Sequence, residues 1–203
     1  MSEPLPGEME GLDVTACEAC PELCASRSRI VNGVGPADAD LLFVGEAPGA
    51  NEDAEGEPFV GRSGDVLTDA LRDRGLARQD VRITNCVRCR PPDNRDPHSE
   101  ELANCKGYLA AELARVDPEL VVTLGKVPAE HLLARSVAVT SEAGDVHDAR
   151  VGEGSYRVLL CVHPAATLYD RSQESTFAAA LDEAVSLAGL DEDDGGQSRL
   201  GEF

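Results

Sequence analysis

The stretch Leu41–Gly64, LLFVGEAPGANEDAEGEPFVGRSG, constrains the fold of this chain more than any other segment. It begins with the apolar run Leu41–Val44, which ends directly at Gly45, and a short apolar run ending at glycine is typical of a buried strand. Pro48 and Gly49 then predict a tight turn, because proline fixes φ and glycine tolerates positive φ. Ligands bind at the carboxyl ends of strands in open α/β sheets, so this turn is expected to border a pocket.

Further apolar runs predict three more buried strands, at Val81–Asn85, Leu120–Gly125 and Val158–Val162. Apolar residues at helical spacing predict helices at about Gly64–Arg74, Ser99–Arg115, Pro128–Arg135 and Ser175–Ala188. Continuous apolar strands that alternate with helices are typical of a parallel sheet covered on both faces. We therefore expect a three-layer α/β/α sandwich with a central, mainly parallel sheet over residues 17–190, between a flexible acidic N-terminus (1–16) and a disordered acidic tail (191–203).

The segment after Gly45 has three possible interpretations. Its acids and glycines are ordinary residues of a surface loop. A phosphate-binding loop of a nucleotide hydrolase fits poorly, because the spacing G-x-x-x-x-G-K-[ST] is missing and four carboxylates would repel phosphate. The third interpretation is a pocket for a neutral planar ligand, with Phe59 as a stacking platform and a carboxylate that polarises water.

The charge of the chain bears on its partners. It has 38 acidic and 18 basic residues, a formal net charge of -20, and only two of the bases, Lys106 and Lys126, are lysines. This composition favours a halophilic protein over an acidic mesophilic one. Acidity argues against nucleic-acid binding, for which basic surfaces are the usual sign. In molar salt, however, the Debye length is about 3 Å, so distant carboxylates hardly repel DNA.

The chain shows no sign of a membrane partner. No apolar run approaches the roughly 20 residues that a membrane span requires. The first residues, MSEPLPGEMEGLD, lack the basic and apolar regions of a signal peptide. We expect a cytoplasmic monomer.

Seven cysteines in a cytoplasmic chain favour metal or redox chemistry over disulfides. Cys17 and Cys20 are spaced C-x-x-C, and so are Cys86 and Cys89. A zinc ion and an iron–sulfur cluster can each take four thiolates, so the spacing alone leaves both open.

Three segments in this order, GEAPG…EPFVG, ITN…CRPP-x-NR and HPA, resemble the family 4 uracil-DNA glycosylases, the iron–sulfur members of their superfamily. The resemblance extends over about Cys17–Ala188. It implies an enzyme that hydrolyses the N-glycosidic bond of deoxyuridine in single- or double-stranded DNA, releasing uracil and leaving an abasic site for base-excision repair. The alternative is a non-catalytic iron–sulfur module that binds DNA or a protein partner.

The same resemblance implies a [4Fe–4S] cluster whose ligands are Cys17, Cys20, Cys89 and Cys105. Cys24 and Cys86 depart from the family pattern as extra cysteines, and Cys161 lies in a predicted strand as a core residue.

The resemblance also implies a uracil pocket formed by Glu46, Ala47, Pro48, Phe59, Asn85 and His163. Asn85 would pair with N3–H and O4 of uracil, because an amide both accepts and donates. His163 would donate to O2 and stabilise the anionic leaving group. Glu46 or Glu52 would orient water or stabilise the oxocarbenium-like sugar.

Arginines are the expected contacts to the DNA backbone. Three of them, Arg88, Arg90 and Arg95, lie in the loop after the second strand, although they could instead form salt bridges with nearby acids. Arg171 is a further candidate, and the wedge that enters the minor groove is expected at Leu168, Tyr169 or Arg171.

Overall fold

The computed structural model describes residues 5–190, and the predicted acidic tail lies outside this range. The strands are, in chain order, β1 (Gly7–Glu10), β2 (Asp13–Cys17), β3 (Leu41–Gly45), β4 (Arg82–Asn85), β5 (Leu120–Leu124), β6 (Val146–Val151) and β7 (Gly154–Cys161). The α-helices are α1 (Pro21–Ser26), α2 (Ala50–Glu55), α3 (Arg62–Arg72), α4 (Ser99–Val116), α5 (Lys126–Leu133), α6 (Pro164–Tyr169) and α7 (Ser172–Leu187). Short 3-10 turns occupy Arg78–Asp80 and Pro92–Asn94.

The central sheet has the strand order β4-β3-β5-β7-β6. Its first four strands are parallel, with Val44 aligned to Thr84 on one side and to Thr123 on the other. Strand β6 pairs antiparallel with β7, because the chain reverses between Val151 and Gly154 through Gly152, whose φ is +61°. The mainly parallel sheet confirms the predicted fold class.

Helices cover both faces of the sheet. Because successive residues of a strand point to opposite faces, neighbouring residues of β3 belong to different cores. Leu42 and Val44 belong to the core under α1, α4 and α5. Leu41 and Phe43 belong to the core under α3 and α7, which includes Leu67 and other apolar helix residues. Within residues 5–190, no helix combines the length and apolar character needed to cross a membrane.

Two segments are more regular than the sequence predicts. The N-terminal segment was expected to be flexible, but β1 and β2 pair as an antiparallel hairpin. Val14 is buried there, and its backbone N–H donates to Asn32 Oδ1 at 2.8 Å, so a long-range contact orders a segment whose acidic composition gives no such signal. Three of the acids after Gly49, namely Glu52, Asp53 and Glu55, lie in a short helix, α2, which is followed by Gly56 with φ +91°.

Candidate active site

A cavity of about 170 Å³ lies where parallel strands of the sheet end. Glu46 follows β3 directly, Asn85 is the last residue of β4, and His163 lies two residues beyond β7. The strands therefore bring three polar side chains to one edge of the sheet. Phe59 reaches the same cavity from the segment between α2 and α3. The remaining lining residues are Ala47, Gly49, Glu52 and Ser63.

Most residues predicted for the pocket meet in this cavity. Pro48 is the exception, because it is buried in the turn and is not among the side chains that line the cavity. Gly49 and Ser63 were not predicted. Gly49 lies in the same GEAPG motif and could have been inferred, whereas Ser63 reaches the cavity only through the position of α3.

Phe59 has an unusual backbone conformation for an aromatic residue. Its φ is +56°, in the left-handed region, and its side chain is buried. The Phe59 and His163 ring centroids lie 5.8 Å apart at an interplanar angle of 32°. A Cβ at Gly45 would come within 2.5 Å of the Phe59 ring and would also collide with Asn85 Oδ1. Glycine at position 45 is therefore required for Phe59 and Asn85 to approach the end of β3.

His163 is held in one tautomer. Its Nδ1 accepts a hydrogen bond from the backbone N–H of Ala165 at 3.1 Å. Burial lowers the pKa of His163, with Glu52 opposing this effect, so the ring is neutral at neutral pH. A neutral imidazole whose Nδ1 accepts carries its proton on Nε2, which is then available as a donor.

Glu46 has the most perturbed carboxyl group of the cavity. Burial raises its pKa to about 7, and the neighbouring Asp96 carboxyl adds to this rise by charge repulsion and a hydrogen bond. Asp96 was not predicted as a site residue, because it lies 50 positions away along the chain. A carboxyl group with a pKa near 7 can change its protonation state during a reaction at neutral pH.

The Glu52 carboxylate accepts hydrogen bonds from the backbone around it. Its Oε2 accepts from the N–H of Gly49 at 3.0 Å, and its Oε1 accepts from Val60 and Gly61 at 3.2 Å each. Glu52 thus ties the start of α2 to the segment that follows Phe59. Of the two carboxylates considered for the water, Glu46 is the one without such backbone ties among the described hydrogen bonds.

Arg88 does not have the position predicted for it. Its side chain is 2% exposed and forms a buried ion pair with Glu112, which also pairs with Arg82 at 2.7 Å. A buried guanidinium cannot reach a DNA backbone, so the assignment of Arg88 as a DNA contact was wrong. The sequence could not reveal this, because Glu112 lies on α4, 24 positions away.

The other predicted DNA contacts lie at or near the surface. Arg90 is partly exposed and donates to Asn94 Oδ1 at 2.8 Å. Arg95 pairs with Glu101 and Glu22. Arg171 is exposed at the start of α7. Of the proposed wedge residues, Tyr169 at the end of α6 is 83% exposed, whereas Leu168 is partly buried.

Six of the seven cysteines, all except Cys161, lie near the point where α1, α4 and the loop after β4 meet, namely Cys17, Cys20, Cys24, Cys86, Cys89 and Cys105. Their proximity is indicated by the effect that neighbouring thiols have on one another's pKa values. Burial raises the pKa of Cys89, Arg27 opposes the rise, and Cys17 and Cys24 add to it. Burial likewise raises the pKa of Cys105, and Cys89 and Cys20 add to the rise.

Two side chains donate hydrogen bonds to these sulfur atoms. Arg27 Nη1 lies 2.9 Å from Cys89 Sγ, and Asn104 Nδ2 lies 3.5 Å from Cys20 Sγ. N–H donors and a cation suit the negative charge of metal-bound thiolates. The surroundings of Cys89 and Cys20 therefore suit thiolates that are bound to a metal or cluster. Cys161 lies instead in the core under α7.

The fold and cavity define an α/β protein with a ligand pocket at the carboxyl ends of parallel strands. The family described as the Uracil DNA glycosylase superfamily matches residues 32–185, a range that contains every residue named above for the cavity. The chain belongs to the uracil-DNA glycosylase superfamily.

Individual relatives support this assignment. The Type-4 uracil-DNA glycosylase of Archaeoglobus fulgidus is 39% identical over 190 residues, covering 89% of this chain and 95% of the relative. The Type-4 uracil-DNA glycosylase of Thermotoga maritima is 41% identical over 162 residues, covering 79% of this chain and 82% of the relative. The Type-5 uracil-DNA glycosylase of Thermus thermophilus is 32% identical over 211 residues, covering 87% and 96%.

Proposed function

We propose that this protein is a uracil-DNA glycosylase in which Asn85 recognises the base, His163 stabilises the leaving uracil and Glu46 acts on water. The enzyme hydrolyses the N-glycosidic bond of deoxyuridine, releases uracil and leaves an abasic site for base-excision repair. The observation that carries the residue roles is the convergence of these three side chains with Phe59 on one cavity.

Recognition requires the base to leave the DNA stack and enter the cavity. Phe59 provides an aromatic face at the cavity wall. The amide of Asn85, which is 4% exposed, can accept from uracil N3–H and donate to O4. Cytosine presents an acceptor and a donor at the corresponding positions, so two polar groups would remain unpaired in a buried site. Such a mismatch is costly and favours uracil.

His163 acts on the leaving group. Cleavage of the glycosidic bond places negative charge on uracil, including its O2. The Nε2–H of neutral His163 can donate to that oxygen, because Nδ1 is held by the Ala165 N–H. The hydrogen bond strengthens as charge develops, so it lowers the barrier more than it tightens substrate binding.

Glu46 acts on the sugar side of the cleaved N-glycosidic bond. The sugar becomes positively charged in the transition state, and a nearby carboxylate stabilises it and orients the attacking water. Glu46 has the pKa, about 7, of a base suited to neutral pH. Glu52 has a different role, because its carboxylate holds three backbone N–H groups around the cavity.

The cysteine group would hold a [4Fe–4S] cluster through Cys17, Cys20, Cys89 and Cys105. The support is their proximity and the N–H donors that face Cys89 and Cys20. When bound, a cluster of this type supplies structural cross-linking and a reducible centre. Its ligands would tie the segment of α1 to α4 and to the loop that carries Arg90 and Arg95. Cys24 lies among the ligands as a fifth thiol.

DNA contacts are assigned to the exposed or partly exposed arginines, Arg90, Arg95 and Arg171. Exposed Tyr169 is the favoured wedge residue, because its side chain is large and aromatic and it ends α6, the helix that begins directly after the pocket residue His163. We expect a monomer that acts on single- or double-stranded DNA.

The deciding experiment measures uracil release from an oligonucleotide that contains one deoxyuridine, followed by alkaline cleavage at the abasic site. Oligonucleotides with deoxycytidine or thymidine at the same position serve as controls. The assay covers low to molar potassium chloride, because the acidic composition predicts tolerance of high salt. DNA binding without base release at every salt concentration would contradict the proposal and favour a non-catalytic module.

A further inference from the structure

Arg78 lies outside the cavity, in the 3-10 turn before β4, and has no place in the mechanism described above. We propose that Arg78 is a positioning residue that keeps Phe59 in the conformation in which its ring faces the pocket. The inference rests on the proposed function in one respect, namely the role of Phe59 as the stacking surface for uracil.

The guanidinium of Arg78 holds two successive peptide carbonyls. Its Nη1 donates to the carbonyl oxygen of Phe59 at 3.0 Å, and its Nη2 donates to that of Pro58 at 2.7 Å. The planar fork of an arginine suits two acceptors side by side, a geometry that the single ammonium of lysine does not reproduce. Arg78 is partly buried, and burial lowers its pKa, with Glu57 opposing this effect.

This contact is made at a point of backbone strain. A bulky residue at φ +56° is an outlier, and such a conformation persists only when several neighbours enforce it. Glu52 fixes the next two N–H groups, at Val60 and Gly61. A Cβ at Gly64 would collide with the Phe59 carbonyl, so α3 packs directly on this peptide. Arg78 supplies the hydrogen bonds to the carbonyl oxygens of Pro58 and Phe59, whereas Glu52 holds N–H groups and Gly64 makes a packing contact.

The direction of the ring depends on this backbone conformation. If the peptide of Phe59 relaxed to negative φ, its Cβ would point elsewhere and the ring would leave His163, which it now approaches to 5.8 Å. Loss of Arg78 should therefore affect catalysis through Phe59, although Arg78 itself touches neither substrate nor reacting atoms.

The test is a double-mutant cycle with Arg78→Gln and Phe59→Ala, read as single-turnover uracil release per folded molecule. We expect Arg78→Gln to slow the wild-type enzyme by about 10- to 100-fold, the cost of a misplaced active-site group. In the Phe59→Ala background the same substitution should change the rate by no more than about 2-fold, since coupled residues are non-additive. Equal slowing in both backgrounds would overturn the inference. Arg78→Lys, which keeps the charge, should recover only part of the rate.

Arg74→Gln is the matched control. Arg74 also donates to two carbonyls, of Ala70 and Ala178 at 2.7 Å each, but it joins α3 to α7 away from the cavity. Its loss should lower the melting temperature and leave the rate per folded molecule unchanged.

A second readout does not require glycosylase activity. Nuclear Overhauser effects between the Phe59 and His163 rings should be present in the wild type and in Arg74→Gln, and absent in folded Arg78→Gln. If the wild type releases no uracil but this pattern holds, the proposed function fails while the positioning role stands. If the ring contact survives in Arg78→Gln, the positioning role fails, whatever the activity.

Discussion

The Asp96 carboxyl group lies close enough to that of Glu46 to raise its pKa, although Glu46 follows β3 and Asp96 lies in the loop before α4. Burial of Glu46 and repulsion by Asp96 together place the pKa of Glu46 at about 7. The pKa of Glu46, the residue that we propose acts on water, therefore depends on Asp96, which lies in the segment between Cys89 and Cys105.

The pH dependence of the reaction should reflect this pair. If ionised Glu46 is the active form, the single-turnover rate should rise with pH through about 7. Asp96→Asn removes the neighbouring negative charge, so the pKa of Glu46 should fall and the rise should move to lower pH. Asp93→Asn, a change at an exposed acid of the same loop, should leave the profile in place. An unmoved profile in Asp96→Asn would contradict the coupling.

Glu46→Gln should lower the rate and alter stability in a pH-dependent way. The folded-state pKa of about 7 exceeds the ordinary value of 4.5, so the folded protein holds a proton that the unfolded chain releases. Stability is therefore undiminished below pH 4.5 and falls as pH rises toward 7. The side chain introduced by Glu46→Gln does not ionise, so the variant does not lose stability in this way as pH rises. Its melting temperature should exceed that of the wild type at pH 8 and match it near pH 4, as differential scanning calorimetry can measure.

His163→Ala should reduce kcat by roughly 10²- to 10³-fold with a smaller change in KM, because the hydrogen bond to the leaving anion forms mainly in the transition state. His131→Ala is the control, since His131 is another histidine whose pKa burial lowers, but it lies on α5 away from the cavity. Comparable kcat losses in both variants, in step with their melting temperatures, would indicate a purely structural histidine.

Asn85→Asp should weaken the selection of uracil, because a carboxylate accepts hydrogen bonds but cannot donate to O4. The ratio of uracil release to cytosine release, measured on matched oligonucleotides, should fall. An unchanged ratio in a folded variant would show that another group reads the base.

Replacement of Cys17, Cys20, Cys89 or Cys105 by serine should remove the brown colour and most of the iron from anaerobically purified protein. Cys161→Ser is the control, because this thiol lies in the core under α7. Arg27→Gln should keep the cluster but lower its reduction potential, since the variant loses the cation that donates to Cys89 Sγ. A colourless wild type with stoichiometric zinc and no iron would contradict the cluster.

The sequence by itself determined the fold class and the position of the pocket. Short apolar runs such as Leu41–Val44 are local signals for buried strands, and residues that follow such runs, Glu46, Asn85 and His163, must lie at one edge of a parallel sheet. The order of the motifs was sufficient to predict the superfamily, which is confirmed.

Only the tertiary structure decided what each polar group contacts. Arg88 and Arg90 are two positions apart in one basic loop, yet Arg88 is buried against Glu112 while Arg90 remains partly exposed. Glu52 was a candidate catalyst by its motif and proved to be bound by three backbone N–H groups. Hydrophobic periodicity depends on residues that are close together in sequence, whereas the solvation and pairing of a charge depend on elements that are distant in sequence.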